Sequence, residues 1–203
     1  MLDRFIRYVA YLLFKLLFRL EVRDSHYVPQ DGGVIIAANH TSYLDPPIIA
    51  VVLKRRPTFI AKSSLYRIPI IGSFIRLYSI GVKREQTGPS TIKKALKTLM
   101  SGGCLVIFPE GGRSRDGNLM ELKKGLSLIA ALSGAPVIPV YIKGAHRVLP
   151  VGAKIPRPDK IKVIFGKPVT RRKEESLESY GERVRLEVYS ELKRLSSNCY
   201  SGH

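Results

Sequence analysis

Runs of consecutive apolar residues alternate along the chain with polar clusters and with stretches of helical spacing. Val34-Ile35-Ile36 and Cys104-Leu105-Val106-Ile107-Phe108 are apolar at every position, the pattern of strands buried on both faces. Thr58 to Ala61, Ser79 to Val82 and Val137 to Ile142 are mostly apolar runs that read as further strands. Between them the spacing predicts helices: one opening at Asp45-Pro46, with Asp45 as N-cap, and stopped by Pro57; one from Pro89 to Leu99 or Met100, closed by Gly102-Gly103; and one from Lys123 to Leu132, broken at Gly134. Ile68 to Tyr78 predicts a short helix that serves either as core or as the lining of an acyl groove. Glu21 to His26 reads as an edge strand and Ile161 to Phe165 as a late strand, antiparallel at an edge. Glu174 to Leu195 carries Leu177, Tyr180, Val184, Val188, Leu192 and Leu195 on one stripe, so it covers a sheet face. The fold class is therefore α/β, a mixed, mainly parallel sheet covered by helices, with residues 21–203 as a single domain.

Residues 1–20 stand apart. Leu2, Phe5, Ile6, Val9, Leu13, Leu16 and Leu17 fall on one broad helical face, and Arg4, Arg7, Tyr8, Tyr11, Lys15 and Arg19 on the other. An apolar stripe flanked by basic residues predicts an amphipathic, membrane-associated helix lying in an interface; packing on the protein's own core is the alternative. The longest uncharged run, Tyr8 to Phe14, is far short of the ~20 residues a span needs. Charges recurring through the apolar part, with no small-residue cleavage site after it, speak against a secretory signal.

Charge sharpens the picture. The 203 residues hold 34 Lys and Arg against 16 Asp and Glu, a formal net charge of +18. Such a surface attracts polyanions: nucleic acid, anionic lipid or a phosphorylated substrate. Nucleic acid is disfavoured, because the basic residues are dispersed and no helix-turn-helix, finger or basic-aromatic sheet signature accompanies them. Two cysteines, Cys104 and Cys199, make neither a disulfide framework nor a zinc site, and no metal is expected.

Two polar clusters follow predicted buried strands, where α/β proteins bind ligands. The first is Asn39-His40-Thr41-Ser42-Tyr43-Leu44-Asp45. A neutral imidazole accepts a proton near pH 7, and a carboxylate on its other nitrogen fixes the tautomer. A spacing of five does not bring two side chains together on a regular helix, so the pair requires the intervening turn; without it, His40 and Asp45 are a solvated helix cap. The second cluster is Pro109-Glu110-Gly111-Gly112-Arg113-Ser114-Arg115. Arg84, Arg113, Arg115 and Lys62 follow apolar strands or open helices and form a candidate anion site, with glycines that let backbone N–H groups approach an anion. Glu110, just after an apolar strand, needs a partner, either Arg113 or the backbone beyond the turn.

Taken together, these residues resemble the glycerolipid acyltransferase family typified by bacterial 1-acylglycerol-3-phosphate acyltransferase. Asn39 to Asp45 is similar to the family's first block, Ile68-Pro69-Ile70-Ile71-Gly72 with Arg84 to its second, Phe108 to Ser114 to its third, and Val137-Ile138-Pro139-Val140 to its fourth. All four stand in the family's order and spacing.

The resemblance implies a glycerol-3-phosphate acyltransferase-like fold. It also implies transfer of a fatty acyl group from acyl-CoA or acyl carrier protein, as co-substrate and with no cofactor, to a lysophospholipid acceptor at an anionic membrane surface. The implied place is the cytoplasmic face of a bacterial cell membrane, peripheral or monotopic. His40 is the implied base and Asp45 its orienting partner. Arg84, Glu110, Gly111, Arg113 and Lys62 are the implied substrate-binding residues, and Asn39, Gly72, Ser114 and Pro139 their structural support. Gly112 stands where the family usually has Thr, and Gly81 and Lys83 where a Phe and an acidic residue are more usual. These departures bear on the acceptor, so another lysophospholipid or an aminolipid is the alternative substrate; a catalytically silent membrane-surface protein is a remoter one.

Overall fold

The computed structural model describes residues 2–62, 79–82 and 88–198. In chain order its elements are α1 (Leu2–Phe18), β1 (Glu21–Arg23), a 3-10 turn (Ser25–Tyr27), β2 (Val34–Ala38), α2 (Asp45–Val52), β3 (Pro57–Lys62), β4 (Ser79–Val82), α3 (Pro89–Met100), β5 (Cys104–Ile107), α4 (Gly125–Ser133), β6 (Val137–Lys143), α5 (Ala145–Val148), β7 (Lys162–Phe165) and α6 (Leu177–Asn198). The strands form one seven-stranded sheet in the order β1-β7-β6-β2-β5-β3-β4. β6, β2, β5, β3 and β4 run parallel, whereas β7 runs antiparallel to β6 and carries β1 parallel to itself.

The apolar strands are apolar because both faces are covered. Val34, Ile36 and Ala38 of β2 point into a core shared with α2, while Ile35 and Ala37 point into a second core with Ala95 and Leu99 of α3 and Leu126 and Ile129 of α4. α6 closes that second core with Tyr180, Val184, Val188, Leu192 and Leu195; Leu177, expected on the same stripe, is exposed at the helix start.

Three expectations change. β1 stops at Arg23 because Asp24 adopts a left-handed conformation (φ 59°) and a 3-10 turn follows. β7 is antiparallel to β6 as expected, but β1 pairs along its other side, so β1 and not β7 ends the sheet. Asp45 does not cap α2 as predicted: it is the first helical residue, and its carboxylate turns back to the loop before it.

α1 is turned inside out relative to a helix that packs on a core. Phe5, Ile6, Val9, Leu12, Leu13, Leu16 and Leu17 are exposed, while Tyr11, Phe14 and Phe18 contact the sheet's first core. Arg7, on the polar face, donates to the carbonyls of Ala50 (3.2 Å), Leu53 (3.0 Å) and Arg55 (2.9 Å). One guanidinium thus satisfies a carbonyl left open in the last turn of α2 and two more in the segment just after it. Of the two tyrosines expected on the polar face with Arg7, Tyr8 is exposed and Tyr11 packs on the core.

Candidate active site

β2 and β5 are neighbours in register, with Ala37 opposite Ile107, so both polar clusters leave the sheet at the same edge. β3 runs parallel to β5 and ends at that edge with Lys62. β6 outlasts β2, and its Ile142 peptide would be stranded there. The Asn39 side chain takes it, with its amide donating to the Ile142 carbonyl (3.1 Å) and its oxygen accepting from the Ile142 N–H (2.6 Å). Asn39 therefore finishes the ladder with its side chain and frees the backbone to leave the sheet.

His40 is the first residue beyond that departure. Its Nδ1 lies 2.9 Å from Asp45 Oδ2, and the same oxygen accepts N–H donors from Thr41 (2.6 Å) and Ser42 (2.8 Å). Asp45 is fully buried, while the His40 side chain keeps 18% exposure. With Nδ1 committed to the carboxylate as donor, the acceptor lone pair belongs to Nε2. Phe108 stacks on the imidazole at a centroid distance of 4.2 Å, fixing the ring plane. The second cluster holds the His40 backbone at both ends: its N–H donates to Glu110 Oε1 (3.0 Å), and its carbonyl accepts from the Ser114 N–H (2.8 Å).

Glu110 is 3% exposed, and its other oxygen accepts from the Met120 N–H (3.3 Å). Its partners are backbone groups, the second of the two expected kinds. Burial pushes its carboxyl up to about 7, against the two N–H donors and with help from the Asp45 charge. A raised folded-state value means stability is full below the unfolded value, near 4.5, and is lost as pH rises toward 7. Glu110→Gln removes this titration. The stability of wild type relative to Glu110→Gln is expected to fall by roughly 3 kcal/mol between about pH 4.5 and pH 8. Urea denaturation of both proteins across that range measures it; a difference flat with pH contradicts the buried, titrating carboxyl.

Arg113 lies beside the first cluster, its guanidinium 3.4 Å from the centroid of the Tyr43 ring. Its Nη1 is buried and has no hydrogen-bond partner among the described residues. Gly111 sits at φ 72°, a left-handed conformation that favours glycine; a Cβ there would lie 2.8 Å from the end of the Lys123 side chain, which is flexible enough to give way. The Gly111 N–H does not face an anion as the sequence suggested; it donates to the Phe108 carbonyl (3.1 Å) and closes the turn. At Gly112 a Cβ would meet open space, so packing does not demand the departure from Thr. Ser114 is buried, its hydroxyl donating to Asp116 (2.7 Å), and Pro139 is buried in β6 with its carbonyl accepting from the Gly166 N–H (2.7 Å). Arg115 is exposed. Gly72, Arg84 and the Lys62 side chain lie outside the described residues.

Sequence reasoning passed over Phe108 and Tyr43 as functional side chains, and over Lys123 and His146. His146, on α5, packs its ring where a Gly117 Cβ would stand, and burial, followed by the Arg147 charge, holds its pKa below the ordinary histidine value. Phe108 and Tyr43 carry a local signal, an aromatic directly beside a polar cluster; Lys123, in the loop before α4, and His146, on the single turn of α5, carry none. Among the described residues no three His, Cys, Asp or Glu side chains gather as metal ligands.

Comparison with known proteins matches residues 19–143 to the family described as Acyltransferase. The chain is 32% identical over 152 residues to a 1-acyl-sn-glycerol-3-phosphate acyltransferase of Bacillus subtilis, covering 74% of this chain and 73% of that protein. It is 29% identical over 158 residues to a chloroplastic 1-acyl-sn-glycerol-3-phosphate acyltransferase of Brassica napus, covering 75% of this chain but only 45% of the plant protein. The crystal structure of the 1-acyl-sn-glycerophosphate acyltransferase PlsC from Thermotoga maritima superposes with a TM-score of 0.75 at 32% identity, covering 94% of this chain and 79% of that one.

Proposed function

Because the chain belongs to the acyltransferase family, we propose that it transfers a fatty acyl group from acyl-CoA or acyl carrier protein to the sn-2 hydroxyl of 1-acylglycerol-3-phosphate, forming phosphatidic acid. The observation that carries this assignment is the partly exposed His40 imidazole, with Nδ1 held by buried Asp45, in the same loop as Tyr43, whose ring carries Arg113 with a buried guanidinium nitrogen that nothing described satisfies. A base and an anion site side by side suit an acceptor that bears a hydroxyl and a phosphate.

In the proposed reaction Nε2 of His40 takes the hydroxyl proton as the acceptor oxygen attacks the thioester carbonyl. The tetrahedral intermediate collapses with loss of the thiolate, which takes the proton from the imidazolium. Asp45 holds the tautomer and stabilises the imidazolium as it forms. Glu110 and Ser114 act through the His40 backbone, and Gly111 shapes their turn. Arg113 receives the acceptor's phosphate, with Arg84 and Lys62 as further cations.

We place the protein in the membrane interface, at the cytoplasmic surface, with the acceptor entering sideways from the leaflet; the exposed apolar face of α1 supports the interfacial part of this reading. Arg4 and Lys15 on that helix, and Arg19 just after it, are exposed and suit an anionic surface. Among the described residues no helix is long and apolar enough to cross a membrane.

Thiol release from a long-chain acyl-CoA is expected only when vesicles contain 1-acylglycerol-3-phosphate. Equal release with headgroup-capped lysophospholipids would overturn the acceptor assignment. Arg113→Ala is expected to raise the acceptor KM roughly 30-fold, the scale of a lost charge-assisted hydrogen bond, with little change in the donor KM. Equal effects on both substrates would remove Arg113 from the phosphate.

A further inference from the structure

Tyr43 lies midway between His40 and Asp45 in the loop joining β2 to α2, and its ring is the partner the structure gives the Arg113 guanidinium, at 3.4 Å from the centroid. Arg113 makes no ion pair with a described carboxylate. Glu110, three positions upstream, spends its oxygens on the N–H groups of His40 and Met120. The buried Arg113 Nη1 is left without a partner among the described residues.

A carboxylate under this guanidinium would hold it but would also neutralise it and occupy its donors. An aromatic face attracts the cation through its quadrupole and leaves the N–H groups in the ring-parallel plane free. We propose that Tyr43 is a positioning residue for acceptor recognition: its ring holds Arg113 edge-on to the site, so that the unpartnered Nη1 meets the phosphate of the lysophospholipid. The first polar cluster then supplies both the base and the platform for the anion site, which couples the acceptor's phosphate to the hydroxyl being deprotonated. The proposal rests on Arg113 receiving a phosphate; that phosphate belongs either to the acceptor or to the thioester donor, and the test separates them.

Initial rates are measured on vesicles with 1-acylglycerol-3-phosphate and long-chain acyl-CoA varied separately. Tyr43→Leu is expected to raise the acceptor KM about tenfold, with kcat and donor KM within about twofold, and Tyr43→Phe, which keeps the ring, to behave as wild type. In an Arg113→Ala background Tyr43→Leu is expected to add nothing. An unchanged acceptor KM, a matching rise in donor KM, a Phe variant as impaired as the Leu variant, or additive effects in the double variant would each overturn the proposal. Thermal melts check that the variants fold, and Tyr43→Met replaces Tyr43→Leu if the latter does not. Equilibrium binding of sn-glycerol 3-phosphate to the same proteins, by calorimetry, separates the two levels. Ring-dependent phosphate binding in a protein that fails to acylate lysophosphatidate would sink the acceptor assignment and keep the positioning role. Binding indifferent to the ring would sink the positioning role alone.

Discussion

His40→Ala is expected to lower kcat at least ~100-fold, the usual scale of a lost acid-base contribution, and to leave the acceptor and donor KM values near those of wild type. The protein should still fold. Asp45 Oδ2 keeps the Thr41 and Ser42 N–H donors, and the backbone at position 40 keeps its bonds to Glu110 and Ser114, since none of these uses the imidazole. What disappears is the ring and its stacking on Phe108. Thiol release under saturating substrates, paired with a thermal melt, separates chemistry from folding. Near-wild-type turnover would strip His40 of its role as base and leave the first cluster as a structural turn.

The architecture was legible because parallel strands buried on two faces cannot be anything but apolar. Val34 to Ala38 and Cys104 to Ile107 announced themselves, and the helices between them followed from proline starts and glycine stops. The contact between His40 and Asp45 was legible as a possibility only. A spacing of five needs a turn, and that turn is made by Asp45 itself, whose carboxylate gathers the Thr41 and Ser42 N–H groups along with the ring. Capping by Asp45 was the wrong inference from the right residue: Asp before Pro marks helix starts in general, but here the carboxylate had three nearer donors.

What stayed hidden is what depends on two distant stretches meeting. Asn39 and Ile142 are 103 positions apart, and nothing local says that an amide will complete a strand's ladder. For Glu110 the sequence offers two partners, Arg113 or the backbone beyond the turn, and cannot choose between them. The fold gives Glu110 the N–H groups of Met120 and of His40, from the loop after the neighbouring strand, and gives Arg113 the Tyr43 ring. The two polar clusters are thus one device interlocked through backbone bonds, and it is the Glu110 and Ser114 bonds to the His40 peptide that place the imidazole.

The outward leucines of α1 carry the second large effect. Leu13 is 51% exposed and Leu16 79%, on the face away from Tyr11, Phe14 and Phe18 and outside the core, so replacing both with Glu costs the folded protein little packing. If that face inserts into the headgroup boundary, each leucine contributes about 1.5–3 kcal/mol of burial, and losing two weakens partition onto vesicles by at least ~100-fold. The new carboxylates also oppose an anionic leaflet. Flotation with vesicles containing anionic lipid measures the partition, and turnover of lysophosphatidate in those vesicles should fall with it, whereas turnover of a short-chain, water-soluble acceptor should hold. Arg7 makes the contrast, because its guanidinium points inward onto the α2 carbonyls, so Arg7→Ala should loosen the helix from the body and lower the melting temperature. Vesicle binding unchanged by Leu13→Glu with Leu16→Glu would mean that the apolar face of α1 meets something other than lipid, and the sideways entry of the acceptor would lose its physical basis.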